Sequence, residues 1–321
     1  MRVRPVRILV ALITSLIPLA LVAILLFLTL YSWPAIKFNG VHFLFGKIWD
    51  LGNLYADPVM VNGTSVPPGA NYGILVFITG TLSSSFIAVL IAVTVGLAVA
   101  MFLAEGIPAP FRPALSLIVE LLASVPSVVY GLWGYVVLIP FVAHYLGPAL
   151  AKVLGFIPFF AGPVGSGYGL LVASLVLAIM IVPIITATVY SGLIRVPREI
   201  KEASYALGAT RFEMVRKVML RAIRKSVIGA VILGLGRALG ETMAVLMVSG
   251  GALNYLPKTI YSPVTTMAAF IVSQLDSALQ DPTNMAVYSL AEIALVLLLI
   301  AVVVNIIARA LTGGQGHVAY S

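Results

Sequence analysis

Six apolar stretches, each long enough to cross a bilayer, set the terms on which this chain can fold. They lie at residues 8–31, 74–104, 114–142, 168–190, 227–248 and 285–308. A hydrocarbon core about 30 Å thick needs about 20 mainly apolar residues in helical form. Inside it every backbone N–H and C=O must be satisfied by the chain itself, so runs of this length are helices. Composition agrees, with 61% hydrophobic and 9% charged residues, against about 25% charged in a soluble domain. The expected fold is all-α, a polytopic membrane protein with six transmembrane helices.

The first stretch follows Arg2, Arg4 and Arg7, as a secretory signal would. It is 24 residues long, with no small-residue cleavage site after it, so it reads as an uncleaved span with Tyr31 and Trp33 at the far interface. The connector at 33–73 carries Asn62-Gly63 and Pro67-Pro68-Gly69, both turn signals, and predicts a small external feature. Three parts result: 1–73, the first span and external loop; 74–311, a five-helix core; and 312–321, a Gly-rich tail expected to be disordered.

Charge placement orients the spans. The N-terminus supplies three Lys+Arg, Arg112 one, the loop at 195–225 nine and Arg309 one, fourteen on one side. Lys37, Lys47, Lys152 and Lys258 make four on the other, and Arg237 falls within a span. Positive residues gather on the cytoplasmic side, so both termini and the basic loop are expected there. The net charge of +8 therefore follows topology and is no nucleic-acid signal. The absence of cysteine excludes disulfides and thiolate chemistry. His42, His144 and His317 lie far apart in polar connectors, and no metal or cofactor is expected.

Within the spans, polar residues are the informative ones. Thr79, Thr81, Ser83, Ser84 and Ser85 open the second; they read either as hydroxyls returned to the helix backbone or as a stripe facing a path. The third carries Glu120, then Pro126 and Ser127. Pro126 should kink or break the helix near mid-membrane, and Gly131 and Gly134 allow another helix to approach closely. Glu120 and Glu292 lie near span ends and read as structural or gating. In the last external connector, Ser262-Pro263 could cap a short helix carrying Met267 and Phe270.

The fifth span holds Arg237 at its midpoint, where a guanidinium costs about 2.5 to over 10 kcal/mol unless it meets water or a partner. Glu241 is four residues on, one turn away on the same face. Gly236 and Gly240 form a GxxxG surface beside them. Two readings stand: an Arg237–Glu241 ion pair that holds a helix contact, or an anion site lined by Arg237 with Glu241 orienting or gating it. Arg suits phosphate-like anions because its planar fork bonds bidentately and keeps its charge.

The basic loop at 195–225 reads as a helix–turn–helix. Pro197 fits a first turn, Gly208 a left-handed helix end, and Thr210-x-x-Glu213 a capping box. Glu202-Ala203-Ser204, then Gly208, then Val218-x-Leu220 resembles the EAA loop of ABC importer permeases. Ser204, Val218 and Arg221 stand where that pattern has Ala, Ile and Pro. The resemblance implies the type I ABC importer permease fold, with Glu202, Ala203, Ser204 and Gly208 belonging to a coupling helix seated on an ATP-hydrolysing subunit.

Residues 236–245 (GRALGETMAV), 118–134 (IVELLASVPSVVYGLWG) and, more weakly, 262–271 and 304–309 resemble phosphate-importer permeases of the PstC type. The sister PstA type reads GETAP where this chain has Gly240-Glu241-Thr242-Met243-Ala244. By resemblance, Arg237 and Glu241 serve phosphate passage. The implied partners are a second homologous permease of the PstA type, two ATP-binding subunits of the PstB type and an external phosphate-binding protein of the PstS type, at a prokaryotic plasma membrane. No GxxxxGK[ST] occurs, so ATP hydrolysis falls to a partner and the chain is not an enzyme. Rival readings are a permease for sulfate, molybdate or phosphonate, a proton-coupled secondary transporter using Glu120 or Glu241, and, ranked low, an intramembrane hydrolase.

Overall fold

The computed structural model describes residues 3–313; His317 and most of the 312–321 tail lie outside the described residues. Five helical segments are long and apolar enough to cross a membrane: Val10–Tyr31, Leu75–Gly106, Ser127–Leu154, Leu170–Leu193 and Met285–Ile307. The expected fifth span is present as two shorter helices, described below. The chain divides into two compact units, residues 1–75 with 271–300 and residues 76–270 with 301–321.

The first unit begins with α1 (Val3–Tyr31), α2 (Trp33–Asn39) and α3 (His42–Phe45). Two small ribbons follow. β1 (Trp49–Asp50) pairs antiparallel with β4 (Asn71–Tyr72), and β2 (Val59–Val61) with β3 (Thr64–Val66). Asn62 and Gly63 form the β2–β3 turn with φ of 51° and 75°, as a two-residue hairpin with both central residues left-handed requires. The same unit holds residues 285–300, where Tyr288 packs edge-on against Tyr31. Glu292 is buried here, and the Asn39 side chain donates to its Oε2 at 2.8 Å.

The second unit is all helix: α4 (Leu75–Met101), α5 (Arg112–Ala123), α6 (Ser127–Trp133), α7 (Ile139–Phe141), α8 (Gly147–Leu154), α9 (Leu170–Leu193), α10 (Arg198–Ala206), α11 (Arg211–Glu213), α12 (Leu220–Ala222), α13 (Arg224–Gly240) and α14 (Met243–Val248). Two further helices, α15 (Met267–Ala278) and α16 (Met285–Gly313), complete the chain. Helix α9 is the central post, with Val176, Ile181, Ile185 and Val189 fully buried. Small residues let its neighbours close on it. A Cβ on Gly234 of α13 would lie 2.6 Å from Ile181, and one on Gly134 would lie 2.8 Å from Val176. Gly131 of α6 meets Ala244 and Met247 of α14 in the same way.

Two expectations are corrected and one open reading is decided. The third span is residues 127–154 rather than 114–142. The chain leaves the helix at Ser124 and restarts after Pro126, whose ring cannot continue the preceding ladder. This leaves α5 as a separate helix packed on α9. Beyond it, π-helical turns at 134–138 and 142–146 carry the rod through Pro140 to Leu154. In α4, the hydroxyls of Thr79, Thr81, Ser83 and Ser84 donate to carbonyls three or four residues back, so the backbone-return reading holds for these four, while the Ser85 hydroxyl is buried with no hydrogen-bond partner among the described residues. Ser262 does not cap α15: its Oγ accepts from Lys258 and Thr259 N–H, and Thr266 accepts from Ala269 N–H instead.

Candidate functional site

Helix α13 stops at Gly240. Glu241 is extended, with φ −71° and ψ 127°, and α14 starts at Met243. The break places Arg237 in the last turn of α13, at the negative end of its dipole. Glu241 Oε1 accepts from Ala244 N–H at 3.3 Å, which seats its carboxylate at the positive start of α14. Each charge is thus matched by a helix end. Among the described residues no ion pair joins them, because the extended residue turns Glu241 off the face that an unbroken helix would share with Arg237. Unwound backbone at such depth is tolerated where it lines a cavity or is buried in protein.

One face of α13 lies on α9: Ala230, Gly234 and Ala238 are buried there. The other face carries Leu233, Gly236, Arg237 and Gly240, all exposed in this chain. A Cβ on Gly229, Gly236 or Gly240 would meet nothing within 4 Å. The GxxxG surface is therefore unfilled by this chain's own helices. Across the break, Tyr130 of α6 lies within electrostatic reach of Arg237, and its hydroxyl donates to Leu122 O at 2.8 Å.

The basic loop folds as a helix–turn–helix. Helix α10 begins after Pro197, which is its N-cap, and Gly208 ends it at φ +80°. Thr210 and Glu213 complete both halves of the capping box. Lys217 and the Thr210 hydroxyl and N–H hold the Glu213 carboxyl down at about 2. From α11 a π-helical stretch at 214–219 runs into α12, burying Met214, Val215 and Met219. Ser204 is buried and donates to Ile200 O, whereas Glu202, Ala203 and Gly208 are exposed. Beside them Tyr205 and Leu207 stand 46% and 90% exposed, an apolar tip that water alone would not favour.

Glu105, at the end of the π-helical turn that closes α4, fastens this loop. Its Oε1 accepts from Lys201 Nζ at 2.6 Å, and its Oε2 lies 3.6 Å from Arg211. One carboxylate thus ties the second span to both helices of the loop.

Residues 92–314 match the family described as the binding-protein-dependent transport system inner membrane component. That is more than half of the chain and includes the loop and the broken helix. The chain belongs to this family. Among the relatives of this transport permease, the phosphate transport system permease protein PstC 1 of Mycobacterium tuberculosis is 46% identical, over 92% of this chain and 89% of that protein. PstC of Haemophilus influenzae is 37% identical, over 93% and 89%. A bacterial alginate ABC transporter in complex with its periplasmic protein contains a chain of similar fold, with TM-score 0.52 and 14% identity over 74% of this chain and 78% of that one. The permease is a multi-pass membrane protein and a transport subunit.

In this permease the predicted residues fall into two groups. Arg237 and Glu241 flank one break, with α6, which carries Ser127 and is capped by Pro126, packed on α14. Glu202, Ala203, Ser204 and Gly208 share the loop. Glu120 stands apart, exposed on α5 and in no ion pair among the described residues. Glu105 went unpredicted: only its place just after a span, followed by Gly106 and Pro108, hinted at a fixed turn.

Proposed function

We propose that the chain is the PstC-type permease of an ATP-driven phosphate importer and forms half of its translocation pathway. The observation that carries this is Arg237: a permanent cation at a helix break, with no carboxylate partner among the described residues, on a face that the chain leaves open. A second homologous permease covers the Gly229–Gly240 face and closes a conduit around both breaks. Two ATP-binding subunits dock on the exposed tip of α10, and an external binding protein delivers phosphate. The loop side is cytoplasmic, where ATP is available. Closure of the ATPases moves α10, and Lys201 and Arg211 pull on Glu105 and hence on α4, while α12 leads into α13 and shifts Arg237. The relatives that are phosphate transport permeases favour phosphate over other oxyanions.

The test is uptake of labelled phosphate by the assembled importer in proteoliposomes loaded with ATP. Arg237→Leu removes at least one charge-assisted hydrogen bond worth about 1.5–3 kcal/mol, so uptake should fall tenfold or more with assembly unchanged. Uptake at the wild-type rate by that variant overturns the role of Arg237. Uptake that needs no ATP and collapses with an uncoupler favours the proton-coupled reading.

A further inference from the structure

Between the loop-side ends of α9 and α13 lies a cavity of about 1050 Å³ whose charged lining is of one sign: Arg195, Arg221, Arg224 and Lys225. Ser191 and Ser226 add hydroxyls. No carboxylate lines it, and among the described residues none of the four cations lies within 4.0 Å of one. Elsewhere in this loop Lys201 and Arg211 pair with Glu105 and Lys217 with Glu213, while Arg216 lies over the Phe212 ring and Arg198 is in no ion pair among the described residues.

Local helix chemistry sharpens the contrast. Helices α10 and α11 carry Glu199 and Glu213 in their first turns, while α13 has no acid in its first turn and opens on Arg224 and Lys225. Cations at the positive end of a helix are unfavourable, and the first N–H groups there lack partners. Arg195, just past the C-terminus of α9, and Arg221, in the last turn of α12, are well placed, whereas Arg224 and Lys225 are not. A basic end chosen only for topology would scatter its cations along the loop. These instead surround a hollow with Ile228 and Leu233 on its wall. Basic pockets between spans on this side of a membrane suit anionic headgroups.

We propose that this cavity binds a phosphate group, with the guanidinium forks of Arg221 and Arg224 as its main ligands. Two sources share that chemistry. One is an anionic phospholipid headgroup, with its chains along Ile228 and Leu233. The other is inorganic phosphate leaving the conduit, since Lys225, Gly229, Leu233 and Arg237 follow one another at four-residue steps on one face of α13. Only the second source rests on the pathway reading above.

The assembled importer is compared with Arg221→Gln/Arg224→Gln and with Arg221→Lys/Arg224→Lys. All three carry Arg237→Leu, so that failure of the conduit site does not enter. In phosphatidylcholine nanodiscs without binding protein, equilibrium binding of labelled inorganic phosphate is measured. In a second arm, phosphatidylglycerol retained on the complex from mixed bilayers is counted by native mass spectrometry. Loss of two charge-assisted contacts should weaken binding about tenfold or more in the Gln pair, with the Lys pair close to the parent. Loss in the first arm identifies inorganic phosphate as the ligand, and loss in the second identifies lipid. The side chains are exposed and Gln shortens them little, so co-purification of all subunits serves as the folding control. If the Gln pair assembles and matches its parent in both arms, the site does not exist.

Discussion

Replacing Glu105 by Gln should uncouple ATP hydrolysis from transport. The two contacts differ in strength. Lys201 Nζ lies 2.6 Å from Oε1, with only 13% of the Glu105 side chain and 22% of Lys201 exposed. At that distance the Coulomb attraction is about 6 kcal/mol for an effective dielectric of about 20, most of which offsets desolvation. A hydrogen bond between charged groups nets about 1.5–3 kcal/mol. Arg211 lies 3.6 Å from Oε2 and its side chain is 57% exposed, the regime of about 0–1 kcal/mol. The clasp thus contributes about 2–3 kcal/mol, and losing it shifts the attachment of the loop to α4 about thirtyfold or more.

The assay is phosphate imported per ATP hydrolysed by the assembled importer in proteoliposomes. Glu105→Gln should retain most of the ATPase activity and lose most of the import. The inequality of the contacts gives a second expectation: Lys201→Met should reproduce most of the defect and Arg211→Met little. The swap Glu105→Lys with Lys201→Glu should restore part of the ratio. A wild-type ratio in Glu105→Gln, with all subunits present, would refute the claim that this carboxylate transmits force. Equal defects in Lys201→Met and Arg211→Met would refute the energetic reasoning.

Two further outcomes follow from local geometry. Gly234→Val should lower the melting temperature of the purified permease, since a Cβ there would sit 2.6 Å from Ile181 and such overpacking costs about 1–3 kcal/mol; Gly236→Val should leave it near wild type yet reduce co-purification of the second permease, because its Cβ meets nothing in this chain. Glu213 is held at about 2 by Lys217 and Thr210, below an ordinary value of about 4.3, so its contribution to the loop is full above the ordinary value and fades as pH falls through about 2. Amide protection of α11, corrected for intrinsic exchange, should weaken over that window, and Glu213→Gln should abolish the dependence.

What the sequence reveals of this permease depends on the range of the interaction. The Gly208 turn, the Thr210–Glu213 box and the Asn62-Gly63 hairpin are closed by bonds within a few residues, and each stands where the pattern puts it. The break at Pro126 is equally local. The extent of the third span is not: Gly147 and Pro148 suggest the start of a Pro/Gly-rich connector over 143–167, but Pro148 falls in the first turn of α8, and the π-turn before it carries the helix on. The Glu105 clasp joins residues 96 apart, beyond the reach of any periodicity. The cationic cavity is likewise non-local, since Arg195 and Arg224 become neighbours only when α13 lies on α9.

The break in the fifth span bears on why Arg237 is sustainable at all. On an unbroken helix its charge would sit beside fully bonded carbonyls, and Glu241, one turn away, would be the obvious partner. Pairing them would neutralise the site and leave nothing to attract an anion. Ending α13 at Gly240 exposes carbonyls that attract the guanidinium, and starting α14 at Met243 exposes N–H groups, of which that of Ala244 donates to the Glu241 carboxylate. The backbone thus stabilises both charges without joining them, by about 0.3–1 kcal/mol for an exposed group such as Arg237. If Glu241 acts by positioning, Glu241→Gln, which keeps an acceptor for Ala244 N–H, should hold the break, whereas Glu241→Ala should let the helix close. Uptake that survives in Glu241→Gln and fails in Glu241→Ala would support this division, and equal loss in both would show that the negative charge itself is required.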